Sequence, residues 1–501
     1  MQTINRILNN VTMYRLVVYV LGALVSLSIL FSFMGKLSSS PTSLVVSLAL
    51  ILGAAYVTDR GFGRLFNVPT NMESSLITAL ILFLIVQPAH TIAAGVALLL
   101  AGSVSSASKF LIARNGKHIF NPAAFAAALL SLTGLQAVTW WIGSSVLWPF
   151  ALILGLAVVQ KIRRFPLFIT FVIVSTLVQY LVFAHAGQPI AVNMKHALLA
   201  SPLIFLSTIM LTEPATMPPR RNLQMMFGVL VAVLYVTAWK IGPLAIYPEV
   251  ALLIGNIFAY AVSPKFRVRL QLKEVQKISD RVYNYIFTPD RKFAFLPGQY
   301  MEFTLPGVPY DSRGNRRTFT IASSPTESEV HLGVKYFEPA SMYKKVLSEL
   351  KPGDTMYASQ LAGNFTLKGV EQQKLAFIAG GIGITPFRSM VKYLSDSELS
   401  ADVILLYIVS NPNEFAYISE LREAAKAGVK TIPIVTNTSY KASGVVSARL
   451  SAELIAELVP DFDERLFYVS GSNGVVDATH DYLRGLGVAA GRIKTDHFSG
   501  Y

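Results

Sequence analysis

Between Met13 and Val262 the chain is one apolar run after another, and from Lys265 onward it is not. That division constrains the fold more than any motif. In hydrocarbon every backbone N–H and C=O must be satisfied within the protein, so runs of this kind are helices in a membrane. The predicted spans cover residues 13–33, 43–57, 75–87, 92–110, 121–132, 146–160, 166–184, 197–211, 223–239 and 247–262. The third, fifth and tenth fall well short of the ~20 residues a crossing needs. Interrupted by proline, they read as half-helices that stop near the midplane. The first run is long and lacks a small-residue cleavage site, so it reads as a span and not a removable signal peptide.

The formal charge of +14 over 501 residues could indicate a nucleic-acid partner. Its placement indicates a membrane instead. Arg6, Arg15, Arg60, Arg64, Lys109, Arg114, Lys117, Lys161, Arg163, Arg164, Arg220 and Arg221 fall on one side of a bundle of about ten crossings. Only Lys36, Lys195 and Lys240 fall on the other. The expectation is a multi-pass protein of the bacterial cytoplasmic (inner) membrane, with both termini and the soluble half in the cytoplasm. The chain has no cysteine, which excludes iron–sulfur clusters, cysteine-ligated zinc and disulfides. No metal site is expected.

One polar interruption stands out, Leu211-Thr-Glu-Pro-Ala-Thr216, which sets Glu213 and two threonines beside Pro214. A carboxylate and a proline at a membrane boundary are costly unless used. The bland alternative is a loop between spans. Residues 75–91 align without gaps on 201–217 (201 − 75 = 126), pairing Gln87-Pro88-Ala89 with Glu213-Pro214-Ala215. The same offset pairs Pro122 with Pro248. With about five crossings in each unit the two would be inverted, and ligand sites in such repeats lie between the halves. At Asn121-Pro122 and Pro248-Glu249 a helix start leaves free N–H groups that can receive a phosphate or a flavin carbonyl. Simple capping by Asn121 is the structural alternative. A haem relay would need paired histidines along a span, and His90, His118, His185 and His196 all fall near predicted span ends.

The soluble half changes pattern once. Strands are predicted at 266–272, 282–287, 300–304, 317–322 and 330–336, separated by turns such as Pro297-Gly298, which suggests a small antiparallel barrel. After Lys374, buried strands at 375–379, 403–408, 430–435 and 466–469 alternate with helices, as in a doubly wound sheet. Arg317-Thr318-Phe319-Thr320 leaves a strand and offers a guanidinium for a diphosphate, an aromatic for a ring and a hydroxyl for a ring nitrogen. Ala379-Gly-Gly-Ile-Gly-Ile-Thr-Pro386 follows a strand and opens a helix, the setting in which glycines admit a pyrophosphate.

The segments Gly116-Lys-His-Ile-Phe-Asn-Pro-Ala-Ala-Phe125, Leu211-Thr-Glu-Pro-Ala-Thr216 and Leu252-Leu-Ile-Gly-Asn-Ile257 resemble the NqrB/RnfD family over about residues 10–263. These are membrane subunits of sodium-pumping NADH:quinone reductase and of Rnf complexes. The resemblance implies a second flavin, FMN or riboflavin, inside the membrane domain. The family's flavinylation motif is missing, so this flavin is expected to be non-covalent, near Asn121, Pro122, Glu213 and Thr216.

Residues 266–501 resemble the ferredoxin–NADP reductase-like flavoproteins. That resemblance implies that Arg317 holds FAD phosphate, Phe319 packs on the isoalloxazine and Thr320 meets its reactive edge. It also gives Thr318, Ser341, Gly363 and Phe365 cofactor contacts, and Gly380, Gly381, Gly383, Thr385 and Gly471 the nucleotide loop. Pro339 and Ala340 replace the glycines usual before Ser341. Ser470-Gly471-Ser472 takes the place of the family's Cys-Gly-Pro, so Ser470 offers a hydroxyl where a cysteine is usual, and Phe498 or Tyr501 covers the flavin face. Thr320, Ser470 and Tyr501 are the expected catalytic residues. Ser410 stands where an arginine for the 2′-phosphate of NADPH is usual, which favours NADH, while Lys441 or Arg449 keeps NADPH open.

The expected architecture is an inverted-repeat transmembrane domain (1–264), an FAD-binding β-barrel (265–370) and an NAD(P)-binding α/β domain (371–501). The expected function is membrane NAD(P)H oxidation, with electrons passing through FAD and a membrane flavin to a quinone or to an extracytoplasmic flavin or haem protein. The alternatives are a redox-coupled ion transporter and a ferric-reductase-like haem enzyme.

Overall fold

The computed structural model describes residues 8, 11–66, 70–114, 117–241, 244–264, 267–308, 315–337 and 340–498. Tyr501 and Pro339 lie outside the described residues. The chain divides into two compact units, Met1–Lys265 and Phe266–Tyr501.

Among the described residues of the first unit four helices are long and apolar enough to cross a membrane: α1 (Met13–Phe33), α2 (Pro41–Leu65), α4 (Ile92–Leu111) and α7 (Phe165–His185). The shorter apolar helices are α3 (Met72–Ile85), α5 (Pro122–Thr133), α6 (Trp148–Ile162), α9 (Arg221–Thr237) and α10 (Pro248–Val262). Local chemistry sets where they begin. Thr12, Ser40, Asn71, Thr91 and Asn121 each accept a backbone N–H of the first turn, and α2, α5 and α10 carry proline there. Such caps are worth about 1 kcal/mol apiece.

The span predicted at 197–211 is not continuous. It is α8 (Ile190–Leu199) followed by a helical piece from Leu203 to Met210, bent by 47°. Pro202 explains the break, since a proline disfavours the helical conformation of the residue before it. The second piece ends in a π-helical turn, Leu206–Met210, where Thr208 Oγ1 donates to the Ile204 carbonyl at 2.7 Å. Gly155 of α6 makes room for it, because a Cβ there would lie 2.3 Å from Thr208 Oγ1.

α3 stops short in the interior. Its last turn is buried, and Val86 leaves it in an extended conformation. The freed backbone is satisfied locally: Gln87 N donates to Ala137 O, and Trp140 N to Ile85 O, both at 2.9 Å. Irregular backbone at this depth survives only when protein supplies such partners.

The second unit begins with a six-stranded antiparallel sheet: β1 (Val268–Lys277), β2 (Val282–Pro289), β3 (Tyr300–Thr304), β4 (Arg316–Thr320), β5 (Val330–Lys335) and β6 (Thr355–Ala362). Its order is β4-β3-β6-β1-β2-β5. The expected barrel is an open sheet: edge strands β4 and β5 are not paired with each other among the described residues. β6, central in the sheet, was not predicted. It has few β-branched residues and is interrupted at Gln360, whose φ is 55°.

A parallel sheet follows: β7 (Lys374–Gly380), β8 (Asp402–Val409), β9 (Val429–Val435), β10 (Val446–Ser447), β11 (Leu466–Ser472) and β12 (Ile493–Phe498). The order β10-β9-β8-β7-β11-β12 reverses direction between β7 and β11. In an open α/β sheet the crevice at the carboxyl ends of two such strands is where ligands bind.

His331 of β5 is buried, and its Nδ1 lies 3.4 Å from Asn284 Nδ2. Burial, aided by the charge of Arg388, holds the imidazole below its usual pKa. Above about pH 6.5 the ring is neutral folded or unfolded and costs nothing. Below that the unfolded chain takes up a proton that the folded chain resists, so stability falls as pH drops. Thermal unfolding of the second unit is expected to soften between about pH 6.5 and 5, and His331→Gln to flatten that loss. An unchanged acid slope in the variant rejects the assignment.

Candidate functional site

The crevice between β7 and β11 is built from glycine and one hydroxyl. β7 ends at Gly380 and passes through the tight turn Gly381–Ile384 into α12 (Thr385–Asp396), with Pro386 in its first turn. A Cβ on Gly383 would lie 2.4 Å from Ser470 O, and one on Gly380 would lie 2.9 Å from Val475 Cγ1. Gly381 has φ +55° and open space beside it, a conformation glycine adopts without strain. Opposite, Ser470 is buried, its hydroxyl without a hydrogen-bond partner among the described residues. A buried orphan polar atom costs about 1–3 kcal/mol, and Ser470 belongs to the strand segment whose backbone lies against Gly383 of the turn. These residues fit a dinucleotide: the N–H groups at the head of α12 would take its pyrophosphate, and Ser470 is the residue expected at its carboxamide end. Ser470→Ala is expected to leave thermal stability unchanged or slightly raised while increasing the KM for the nucleotide several-fold. Lower stability with an unchanged KM counts against this role.

The residues expected at the flavin gather on β4 and its neighbours. Arg317 and Phe319 share one face: the guanidinium carbon sits 5.0 Å from the Tyr343 ring centre, and the Phe319 ring lies 6.0 Å from Tyr343 and 5.9 Å from Phe303. Thr318 is exposed on the other face, and Thr320 is buried opposite Tyr300 in the ladder. Burial pushes the Tyr343 hydroxyl up, against the pull of Arg317, so it stays neutral beside the cation. Ser341 caps the helix α11 (Met342–Ser348) that carries Tyr343, accepting from Lys344 N at 3.3 Å. Gly363, with φ +121°, lies against the Tyr300 ring. Phe365 is not on an open surface; it is buried against Phe387 and Tyr468, with centroids at 5.6 and 5.1 Å. A guanidinium, an aromatic shelf and a buried hydroxyl on one strand fit FAD. β12 runs beside β11, pairing Asp496 with Ser470 and Phe498 with Ser472, so Phe498 ends near the crevice.

In the helical unit Asn121, Pro122, Glu213 and Thr216 come together. Asn121 Nδ2 and Thr216 Oγ1 each donate to Glu213 Oε2 at 2.8 Å, and His118 Nε2 lies 3.4 Å from Oε1. Asn256 of α10 closes the group: its Oδ1 accepts from Asn121 N at 2.9 Å and its Nδ2 donates to Thr216 O at 3.2 Å. The roles of His118 and Asn256 were missed. An asparagine in an otherwise apolar helix was the available signal for the second. Glu249, in the first turn of α10, is buried and accepts from Ser131 Oγ at 2.5 Å and Trp140 Nε1 at 3.0 Å.

The family model of the oxidoreductase NAD-binding domain matches residues 377–481. The chain is similar to the reductase component of propane 2-monooxygenase from Mycolicibacterium smegmatis, 26% identical over 249 residues, covering 48% of this chain and 66% of that protein. It is similar to the NADH oxidoreductase HCR of Escherichia coli, 25% identical over 221 residues, covering 44% of this chain and 65% of that one. It thus spans just under two thirds of these relatives' lengths. Among solved structures, the FAD/NAD-binding domain of the nitric oxide dioxygenase of Vibrio cholerae aligns at 22% identity with a TM-score of 0.42, over 46% of this chain and 98% of that one.

The C-terminal unit is an FAD- and NAD(P)-binding reductase domain, an NAD(P)H-dependent flavin oxidoreductase module. It is fused to a helical unit with several membrane-length helices, which makes the chain a multi-pass membrane protein.

Proposed function

We propose that this chain is a membrane-bound NAD(P)H oxidoreductase. It passes electrons from cytoplasmic NAD(P)H through FAD and a second, non-covalent membrane flavin (FMN or riboflavin) to a quinone or an extracytoplasmic flavin or haem protein. When bound, the nucleotide and flavins supply the redox chemistry, and the chain supplies position and electrostatics. Thr385 and the glycines at 380, 381 and 383 hold the dinucleotide, with Ser470 and Gly471 at its nicotinamide end. Arg317, Thr318, Phe319, Thr320 and Ser341 hold FAD, and the C-terminal aromatics, Tyr501 included, cover it. The working division is 1–264, 265–370 and 371–501, with both termini in the cytoplasm of a bacterium.

The observation that carries the membrane half of this reading is the Asn121–Glu213–Thr216–Asn256 group. It assembles four hydrogen-bonding side chains from three separate segments inside an apolar unit. An NqrB/RnfD-like inverted repeat is supported by parallel local structure. α5 and α10 start at Pro122 and Pro248 (248 − 122 = 126), and each follows a two-residue strand pair, Ala113–Arg114 with Lys117–His118 and Lys240–Ile241 with Leu244–Ala245. An optical spectrum of the purified chain tests the proposal: two flavins per chain, released by acid, and no Soret band. A single flavin removes the membrane relay, and a Soret band removes the haem-free reading. Redox-coupled ion movement is the second reading, favoured by Glu249 at 1% exposure within the helical unit; electron transfer that builds no ion gradient in vesicles excludes it.

A further inference from the structure

Arg388 lies one turn into α12, the helix that opens at the nucleotide loop. Its side chain is 4% exposed and reaches the segment that follows β4. Nη1 donates to Ala322 O at 3.3 Å and to Glu327, Nη2 donates to Glu327 Oε1 at 3.0 Å, and the guanidinium also reaches Glu420 Oε1 at 3.3 Å. Glu327 is held in turn, since its Oε2 accepts from Ser324 N at 2.6 Å. Two further bonds join the same two segments: Ser389 Oγ donates to Ser323 O at 2.7 Å, and Thr326 Oγ1 to Asp396 Oδ2 at 2.5 Å. Beneath the guanidinium, the Tyr417 ring centre is 5.8 Å away. Gly333 of β5 admits this joint, because a Cβ there would lie 2.5 Å from Tyr417 Oη and 2.6 Å from Thr385 Cγ2.

A planar fork between a main-chain carbonyl and two carboxylates fixes orientation as well as distance. The flavin-holding strand runs directly into residues 321–327, and the nucleotide-holding turn runs directly into residues 385–388. The joint therefore ties the two binding elements by their adjacent ends.

We propose that Arg388, gripped by Glu327, is the positioning residue that sets the separation of the nicotinamide and flavin sites. This rests on the reading that the C-terminal unit transfers hydride from NAD(P)H to a flavin. In that step the C4–H bond of the nicotinamide breaks, the hydride carries both electrons to the flavin, and NAD(P)+ is released oxidised. Such transfer is steep in distance: a misplacement of about 1 Å costs on the order of 100-fold in rate.

The test is rapid mixing of the full chain in detergent with saturating NADH or NADPH, following flavin bleaching, for the parent, Arg388→Ala, Arg388→Lys and Glu327→Gln. Expected for Arg388→Ala is a limiting reduction rate lower by about 100-fold, with parental flavin content and visible spectrum and a nucleotide Kd within a few-fold. A larger isotope effect from C4-deuterated nucleotide accompanies it. Arg388→Lys recovers part of the rate, and Glu327→Gln reproduces part of the loss. Parental limiting rates in Arg388→Ala and Glu327→Gln overturn the proposal, as does a loss confined to flavin content or nucleotide affinity. A parent chain that neither nucleotide reduces overturns the reductase reading itself, a result distinct from either.

Discussion

Replacing Gly383 with alanine is expected to lower NAD(P)H-dependent flavin reduction by about 100-fold or more while leaving the flavin bound. The added methyl would lie 2.4 Å from Ser470 O, 2.6 Å from Ser470 C and 2.7 Å from Gly471 Cα. All three are backbone atoms of β11, paired in register with β7 from Leu375 to Ala379, so they cannot move aside as a flexible side chain would. Relief has to come from shifting the Gly381–Ile384 turn, and with it the N–H groups at the head of α12. Gly381→Ala is the control: it meets nothing within 4 Å and suffers only its φ of +55°, a strain of about 1–2 kcal/mol. Stopped-flow reduction with a flavin spectrum of each variant decides. Equal damage from both substitutions means that backbone conformation, not the strand contact, controls the loop.

The second large effect is expected at Glu213. Substitution by leucine removes the acceptor for Asn121 Nδ2 and Thr216 Oγ1 and the partner of His118. Each buried donor left unsatisfied costs about 1–3 kcal/mol, so the helical unit should melt several degrees lower and, if it holds the proposed membrane flavin, release it. Glu213→Gln keeps an acceptor oxygen and should fall between parent and leucine variant. Melting in detergent together with the flavin-to-protein ratio is the measurement. A Glu213→Leu chain with parental melting and full flavin content shows that the group neither supports the fold nor holds a cofactor.

Much of this was legible in the chain. The apolar runs placed most of the helices to within a few residues because burial in lipid leaves helix as the available backbone solution, and caps such as Thr12 and Asn121 are local; α2, which runs on to Leu65, and the broken span at 197–211 are the exceptions. The glycine-rich turn after β7 was legible for a similar reason: strand, turn and helix are contiguous and the geometry needs glycine. What was missed is non-local. β6 is a central strand because β1 and β3 flank it, not because its own residues favour one. Phe365, expected at the cofactor, packs against Phe387 and Tyr468, contacts that no local pattern announces.

The sequence by itself determined the division into an apolar helical half and an alternating α/β half, the nucleotide turn and the polar Thr-Glu-Pro-Ala-Thr interruption. These follow from hydropathy period, glycine conformational freedom and proline stereochemistry, all properties of neighbouring residues. Only the tertiary structure decided that Glu213 is partnered by Asn121 and shares a cluster with Asn256, that Glu249 is held by Trp140, and that Arg388 grips Glu327. Those are pairings across scores of residues, chosen by which faces are buried together, because a polar group enclosed away from water is tolerated only where the fold brings it a partner.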